Sequence, residues 1–536
     1  MQPHQSIVDM FNEACDHFPA LTAFSCLGRS MTYGELDRLS HQFAVYLQHH
    51  TTLAPGDRMA VQLPNTLQYP VVLFGALRAG VVIVNTNPLY TGTELRHQLN
   101  DSDAKVLVVL ANVAKAVEEI IDQTDIQHVI VTEIGDLHRF PKRQIINGVV
   151  KYIKKQVPNC HFPSEISFLK SLSLGKRDIF SPVDLNPSSV AFLQYTGGTT
   201  GIAKGAMLTH NNLLSNKTQV LKHWESVLVP TEEVFAAPLP LYHIYGFTLH
   251  CMVLVSIGCH SVLVPNPRDL NSLVKVFESS KLTGMVGLNT LFIALLNHAR
   301  FPSLSFSKLK ITTSGGMALA DDTAIRWKEV TGTTVLEGYG LTETSPVISA
   351  NTPENFQLGS IGLPLPDTEC KVIDESGGTI VSGDSGELCV RGPQVMLGYW
   401  NQVVATAEVI DSEGWFKTGD IAVIQEDGFI RIVDRKKDMI IVSGFNVYPN
   451  EVEKILLSHK DIIEAAVISI PDRETGEAVK AFLVLAEGSD LDDQSIKAFC
   501  KKSLTPYKVP RHYEYRNELP KSSVGKILRR ELRPET

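Results

Sequence analysis

Three runs near the start of the chain, DRMAVQLPN (57–65), YPVVLFGALRAGVVIVNTNP (69–88) and AKVLVVLAN (104–112), alternate strand-length β-branched segments with segments of helical period. That rhythm leaves few options. Parallel strands must be joined by crossovers, and a sheet carrying helices on both faces is buried on both, so its strands are continuous apolar runs. The same rhythm returns at CHSVLVPN (259–266), LKITTSGG (309–316) and GTTVLEGYG (332–340). Each of these strands runs into a glycine-rich loop. Ligands of open α/β sheets bind beyond the carboxyl ends of the strands, so several loops are expected to share one crevice.

At 536 residues the chain is too long for one core, and three or four domains or subdomains are expected. After about residue 355 the texture changes to short strands and turns, as in KVIDESGGTIV, GELCVRG and WFKTGDIAVIQEDGFIRIVDRKKDMIIV. Ser376-Gly377, Ser382-Gly383 and Asp427-Gly428 punctuate hairpins, which predicts a β-rich subdomain. The charged cluster Asp434-Arg435-Lys436-Lys437-Asp438 reads as a linker to a final segment of helix, strand, strand and helix, a small α+β domain.

With 44% hydrophobic and 20% charged residues the chain has the balance of a globular enzyme. A net charge of −9 argues against a general nucleic-acid partner, which needs a basic surface. The eight cysteines form no C-x-x-C pair, so neither a zinc site nor a disulfide framework is expected. The N-terminus lacks the basic and apolar regions of a secretory signal, and residues 71–84 are broken by Arg78 and too short to span a bilayer. A cytoplasmic protein is expected. Residues 140–163 place Ile145, Ile146, Val149, Val150, Ile153 and Val157 among Lys142, Arg143, Lys151, Lys154 and Lys155. They predict a basic amphipathic helix, either lying on the inner face of a membrane or half-buried in the protein. Whether two copies pair as a homodimer is left open.

The densest glycine run is YTGGTTGIAKGAMLTH (195–210). Glycines let consecutive amides curl around an anion, and threonine hydroxyls and a lysine add donors. It is not a Walker A loop, since Ile202 and Ala203 separate Gly201 from Lys204 and a glycine follows the lysine. A phosphate cradle and a plain surface loop both fit the run taken alone.

PLYHIYG (240–246), TSGGM (313–317), EGYGLTET (337–344), WFKTGD (415–420), DRKKDMI (434–440), GFNVYP (444–449) and PKSSVGKILRR (520–530) follow it in order. Together these segments resemble the motifs of the adenylate-forming superfamily, and within it the bacterial long-chain fatty acid CoA ligases. The likeness spans essentially the whole chain. Phe416 and Lys417 stand where that branch often has Leu-His.

The resemblance implies a large N-terminal AMP-binding domain (1–436) of parallel α/β sheets with the β-rich subdomain, and a mobile C-terminal domain (437–536). It implies ATP, Mg²⁺ and coenzyme A as the companions of a fatty acid, and a reaction through acyl-AMP and pyrophosphate to the thioester. Thr196, Gly197, Gly198, Thr199, Thr200, Gly201 and Lys204 would embrace the outer phosphates. Thr342 would meet the α-phosphate and Glu343 the metal. Glu337, Gly338 and Tyr339 would line the adenine, Tyr339 stacking on it, and Gly315, Gly316 and Gly340 would belong to the ATP site. Asp420 would accept from the ribose hydroxyls, assisted by Arg435. Lys526 would be the transferring lysine, Lys437 the hinge, and Gly444 and Phe445 would reach the pantetheine channel after rotation. His243, Asn289 and Gly315 would border the acyl group. The same residues leave room for an aryl or short-chain acid ligase, for an acyl-AMP ligase serving a carrier protein, and for a non-catalytic binder. The basic residues of the tail, from Lys501 to Arg533, read mostly as a solvated face, with a share turned to the phosphates of CoA.

Overall fold

The computed structural model describes residues 4–196, 203–522, 525 and 527–533. These residues form four sheets. The first has eight strands and is parallel through Glu165–Ser167, His128–Thr132, Ala104–Leu110, Arg58–Gln62, Val82–Asn85 and Val190–Thr196. Lys204–Thr209 then turns back antiparallel, with Thr196 opposite Lys204. The second has nine strands and runs parallel from Thr22–Cys26 through His260–Leu263, Val234–Ala237, Gly284–Gly287 and Ile311–Ser314 to Val335–Gly340. This is the doubly covered α/β arrangement expected from the apolar runs.

The helices Ile7–His17, Tyr33–His50 and Gln68–Arg78 share one core with apolar residues of both sheets. Every residue of Gln68–Arg78 is buried, so the run VVLFGAL is a core helix, apolar all round. Gly75 makes this possible, because a Cβ there would lie 2.8 Å from the Ser40 carbonyl oxygen of the neighbouring helix. Arg78 is tolerated inside because its guanidinium bonds Asp37, Ser40 and Asn12 and lies over the Phe11 ring.

The β-rich part is a four-stranded antiparallel sheet, Glu369–Ile373, Ser385–Arg391, Phe416–Ile424 and Ile430–Arg435. Gly377, Gly383 and Gly428 all have positive φ, as their turns require. The last sheet pairs Ile462–Asp472 with Gly476–Leu485 and adds Ile440–Val442, Phe445–Val447 and His512–Tyr515. The helices Pro449–Leu457 and Asp493–Cys500 cover it, and this small unit has a hydrophobic core of its own.

Within the cluster at 434–438, Asp434 is completely buried and Lys437 Nζ is shielded from solvent, while Lys436 is exposed. One expectation changes. The basic segment is helical over Lys142–Gly148 and continues as a wider π turn over Val149–Ile153, ending short of residue 163. Among the described residues no helix is long and apolar enough to cross a membrane.

Candidate active site

Beyond the carboxyl ends of both parallel sheets lies a cavity of about 1580 Å³ that also reaches the small C-terminal unit. Its wall includes Thr196 and Lys204, which flank the glycine loop, and Gly315 and Gly316 after Ile311–Ser314. Gly338, Tyr339, Gly340, Thr342, Glu343, His243, Arg435 and Lys437 complete the list of expected residues found there. Gly197, Gly198, Thr199, Thr200, Gly201 and Lys526 lie outside the described residues.

The segment after Val335–Gly340 bows tightly to bring Thr342 and Glu343 to the wall. Leu341 N–H and the Thr344 hydroxyl both donate to the Pro346 carbonyl. Only glycine fits at 340, where a Cβ would come within 2.0 Å of that same oxygen. Glu343 accepts from the Tyr399 hydroxyl at 2.8 Å, and Lys204 Nζ lies 5.1 Å above the Tyr399 ring. Burial pushes the Glu343 carboxyl up, against the Tyr399 hydrogen bond, which holds it down.

Asp420 stands behind the wall, completely screened from solvent. Its Oδ1 accepts from Arg435 Nε at 2.6 Å and its Oδ2 from the Tyr339 hydroxyl. The strand register sets this up, since Asp420 faces Arg435 across the antiparallel pair. A carboxylate offers about four acceptor positions, so two bonds leave capacity for further donors. Glu337 is likewise behind the wall: it accepts from Leu319 N–H at 3.2 Å, and burial pushes its carboxyl up to about 7.

His243 caps the short helix Ile244–Phe247, its Nδ1 accepting from Tyr245 N–H at 3.4 Å, which puts a ring proton on Nε2. Asn289 departs from expectation. It is off the cavity wall, its side-chain oxygen accepting from Ala320 N–H at 3.1 Å to support the start of the following helix. Gly444 and Phe445 are also away from the cavity, at the tip of the hairpin Ile440–Val442/Phe445–Val447, where Phe445 is stacked on Tyr507 at 4.9 Å. Lys437 Nζ has no hydrogen-bond partner among the described residues, and burial pulls its ammonium down to about 8.

The wall contains groups that sequence reasoning missed. Tyr399 lies in the run GPQVMLGYW (392–400), to which no role was assigned. Tyr245, whose hydroxyl pairs with Thr313 at 2.8 Å, packs against Gly315. From there the cavity becomes apolar, continuing to Leu239, Leu249, Val253, Leu365 and the end of the helix His210–His223. The tail cations are largely committed: Lys508 pairs with Glu451, Lys521 with Glu464, Arg533 with Asp438 and Arg516 with Glu514.

The AMP-binding enzyme profile matches residues 11–400, and the AMP-binding enzyme C-terminal domain profile matches residues 451–526. The chain belongs to the AMP-binding enzyme family. It is 50% identical over 533 residues to a long-chain-fatty-acid--CoA ligase of Escherichia coli O157:H7, covering 99% of this chain and 95% of that protein. It is 37% identical over 539 residues to the Bacillus subtilis (strain 168) protein of the same name, covering 99% and 95%. Among solved structures, ATP-bound MatB from Rhodopseudomonas palustris superposes with a TM-score of 0.85 at 27% identity, covering 98% of both chains.

Proposed function

We propose that this AMP-binding enzyme is a long-chain fatty acid CoA ligase. The observation that carries the reading is one continuous cavity with two chemistries: a polar end holding Thr342, Glu343, Lys204 and Arg435, and a long apolar end. An amphiphile with an anionic head at a nucleotide and an alkyl tail matches both. The similarity to curated long-chain ligases over nearly the whole chain supports the same substrates.

In the first step a carboxylate oxygen bonds to the α-phosphorus of ATP and the bond to the pyrophosphate oxygen breaks, leaving acyl-AMP. In the second the CoA sulfur, having lost its proton, bonds to the acyl carbon and AMP leaves. Both partners of the first step are anions, so the site must supply donors and positive charge where negative charge accumulates. Lys204, Thr196 and the glycine loop would hold the outer phosphates, and Thr342 the α-phosphate. Gly315, Gly316, Glu337, Gly338, Tyr339 and Gly340 would border the base. Asp420, oriented by Tyr339 and Arg435, would accept from the ribose.

Glu343 lies on the polar wall with one carboxylate oxygen bonded to Tyr399, and it would hold a cation together with the nucleotide phosphates. That fits Mg²⁺, which takes one or two carboxylates together with phosphates and water, and which when bound neutralises phosphate charge. His243 would steer the acyl carboxylate.

The division into 1–436 and 437–536 belongs to this reading, with Lys437 as pivot. Rotation would withdraw the segment carrying Lys526 and deliver Gly444 and Phe445 to the thiol path. One contact between the two parts is easily broken. Lys454–Asp321, at 2.7 Å, is an exposed ion pair of the kind worth about 0–1 kcal/mol.

The test is formation of AMP and acyl-CoA from ATP, Mg²⁺ and CoA across acids from acetate to oleate and several aryl acids, with Lys526→Ala in parallel. A maximum at long chains, lost in the variant, is expected. A maximum at aryl or short acids refutes the acyl assignment, and acyl-AMP without thioester refutes CoA as acceptor.

A peripheral membrane role is proposed with it. Phe140, Tyr152 and Ile153 are 80%, 73% and 75% exposed beside Lys142, Lys154 and Lys155, a combination suited to anionic lipid. Co-sedimentation with phosphatidylglycerol vesicles is expected, weakened by Ile153→Glu. Equal binding by the variant would refute the assignment.

A further inference from the structure

The apolar end of the cavity finishes at the last turn of the helix His210–His223. Val220, His223 and Trp224 line it there, spaced so that all three fall on one helix face. Two of them are tied to consecutive backbone carbonyls. Burial disfavours the charged form of His223, and its Nε2 lies 2.8 Å from the Ala350 oxygen; the Trp224 indole N–H donates to the Asn351 oxygen at 3.2 Å.

The acceptor strand is itself held. Asn351 is fully buried, and its side-chain amide donates to Glu337 and Ser360 carbonyls at 3.1 and 2.7 Å. The π-helical segment Thr248–Val253 packs against the same helix and contributes Leu249 and Val253 to the same apolar cluster and lining. Trp224 is 7% exposed and bonded at its indole N–H, so the ring is held in place where it meets the arm.

We infer that this arm measures acyl chain length and that Trp224, braced by His223, is its stop. The inference rests on the fatty acyl reading above. Each methylene that enters the arm leaves water and adds binding, about fourfold in affinity per carbon. The gain ends when the terminal methyl meets the indole. A longer acid must either leave methylenes in water or swing the ring outward and break its bond to Asn351.

The experiment is kcat/KM for saturated acids from hexanoate to docosanoate, with the KM for ATP as control. In the wild type the value climbs about fourfold per methylene and then turns down at one length. Trp224→Leu moves that break to longer acids, and Val220→Phe, which adds bulk to the arm one helical turn before Trp224, moves it to shorter ones. The KM for ATP is the control in both, and the readout is the chain length at which the break falls.

A wild type with a long-chain break that stays put in both folded variants overturns the stop while leaving the ligase reading intact. A common fall at every length also overturns it, because it marks a structural role only. A wild type confined to aryl or short acids overturns the acyl reading and the stop with it.

Discussion

Arg529 offers the sharpest test of how the small domain is fastened. Its Nη2 donates to Glu453 at 2.8 Å and to Asn450 at 2.6 Å, and its Nε donates to Glu453 at 3.1 Å. Nη1 lies 3.3 Å from Asp438 and 3.7 Å from Asp434. Asp434 precedes Lys437 in the chain and Glu453 follows it, so one guanidinium spans the junction.

Arg529→Gln keeps an amide donor but removes the charge, leaving three carboxylates facing one another. Losing one partner of a buried ion pair costs about 3–5 kcal/mol. The lower figure corresponds to about a 150-fold loss of protection when the segment opens locally. The assay is amide hydrogen exchange of the segment around residues 520–533, whose Leu528 N–H is bonded to the Pro520 carbonyl at 2.8 Å, compared with the strand Ala104–Leu110 of the first sheet.

A pH series adds a sign. Burial raises the Asp434 carboxyl to about 6 and Arg529 opposes that rise, so the variant's value is higher still. A raised carboxyl favours the native state at low pH, and that contribution is lost as pH climbs through the folded value. The variant's deficit is therefore larger at pH 8 than at pH 5. A loss of protection below threefold, or a deficit that grows toward acid, refutes the reasoning.

Tyr399→Phe removes the hydroxyl from Glu343 with little change in fold. A hydrogen bond to a charged group is worth about 1.5 kcal/mol or more, so pyrophosphate release should slow at least about tenfold while the melting temperature holds. Gly340→Ala and Gly377→Ala form a contrasting pair in thermal unfolding. The first forces a methyl onto the Pro346 carbonyl and should prevent a stable fold, whereas the second meets nothing within 4 Å and should cost only about 1 kcal/mol for its positive φ. Equal losses would show that close approach is not what Gly340 provides.

The sheets were legible because runs such as AKVLVVLAN state their burial on both faces directly. The loop residues at the cavity were legible only through the resemblance of the ordered motifs, because a glycine and threonine run taken alone fits a surface loop as well as a phosphate cradle. What sequence could not supply was pairing across distance. Nothing local in DRKKD says that Asp434 is buried against Arg529, and a run of charges reads as solvated until its partners arrive from the far end of the chain. Asn289 was misplaced for a related reason. An amide beside a strand end serves equally well to hold a ligand or a neighbouring helix, and only the Ala320 N–H decides between them. Trp224 gave no signal because an aromatic at helical spacing is ordinary core.

That the polar and apolar arms are one space also governs leakage. An adenylate anchored at both ends escapes only if both let go together, so its residence lengthens with its tail, while acetyl or butyryl adenylates held at one end drain away to hydrolysis. Fidelity toward long acids would then be enforced twice, first by which acid is activated and again by which mixed anhydride survives until the thiol arrives.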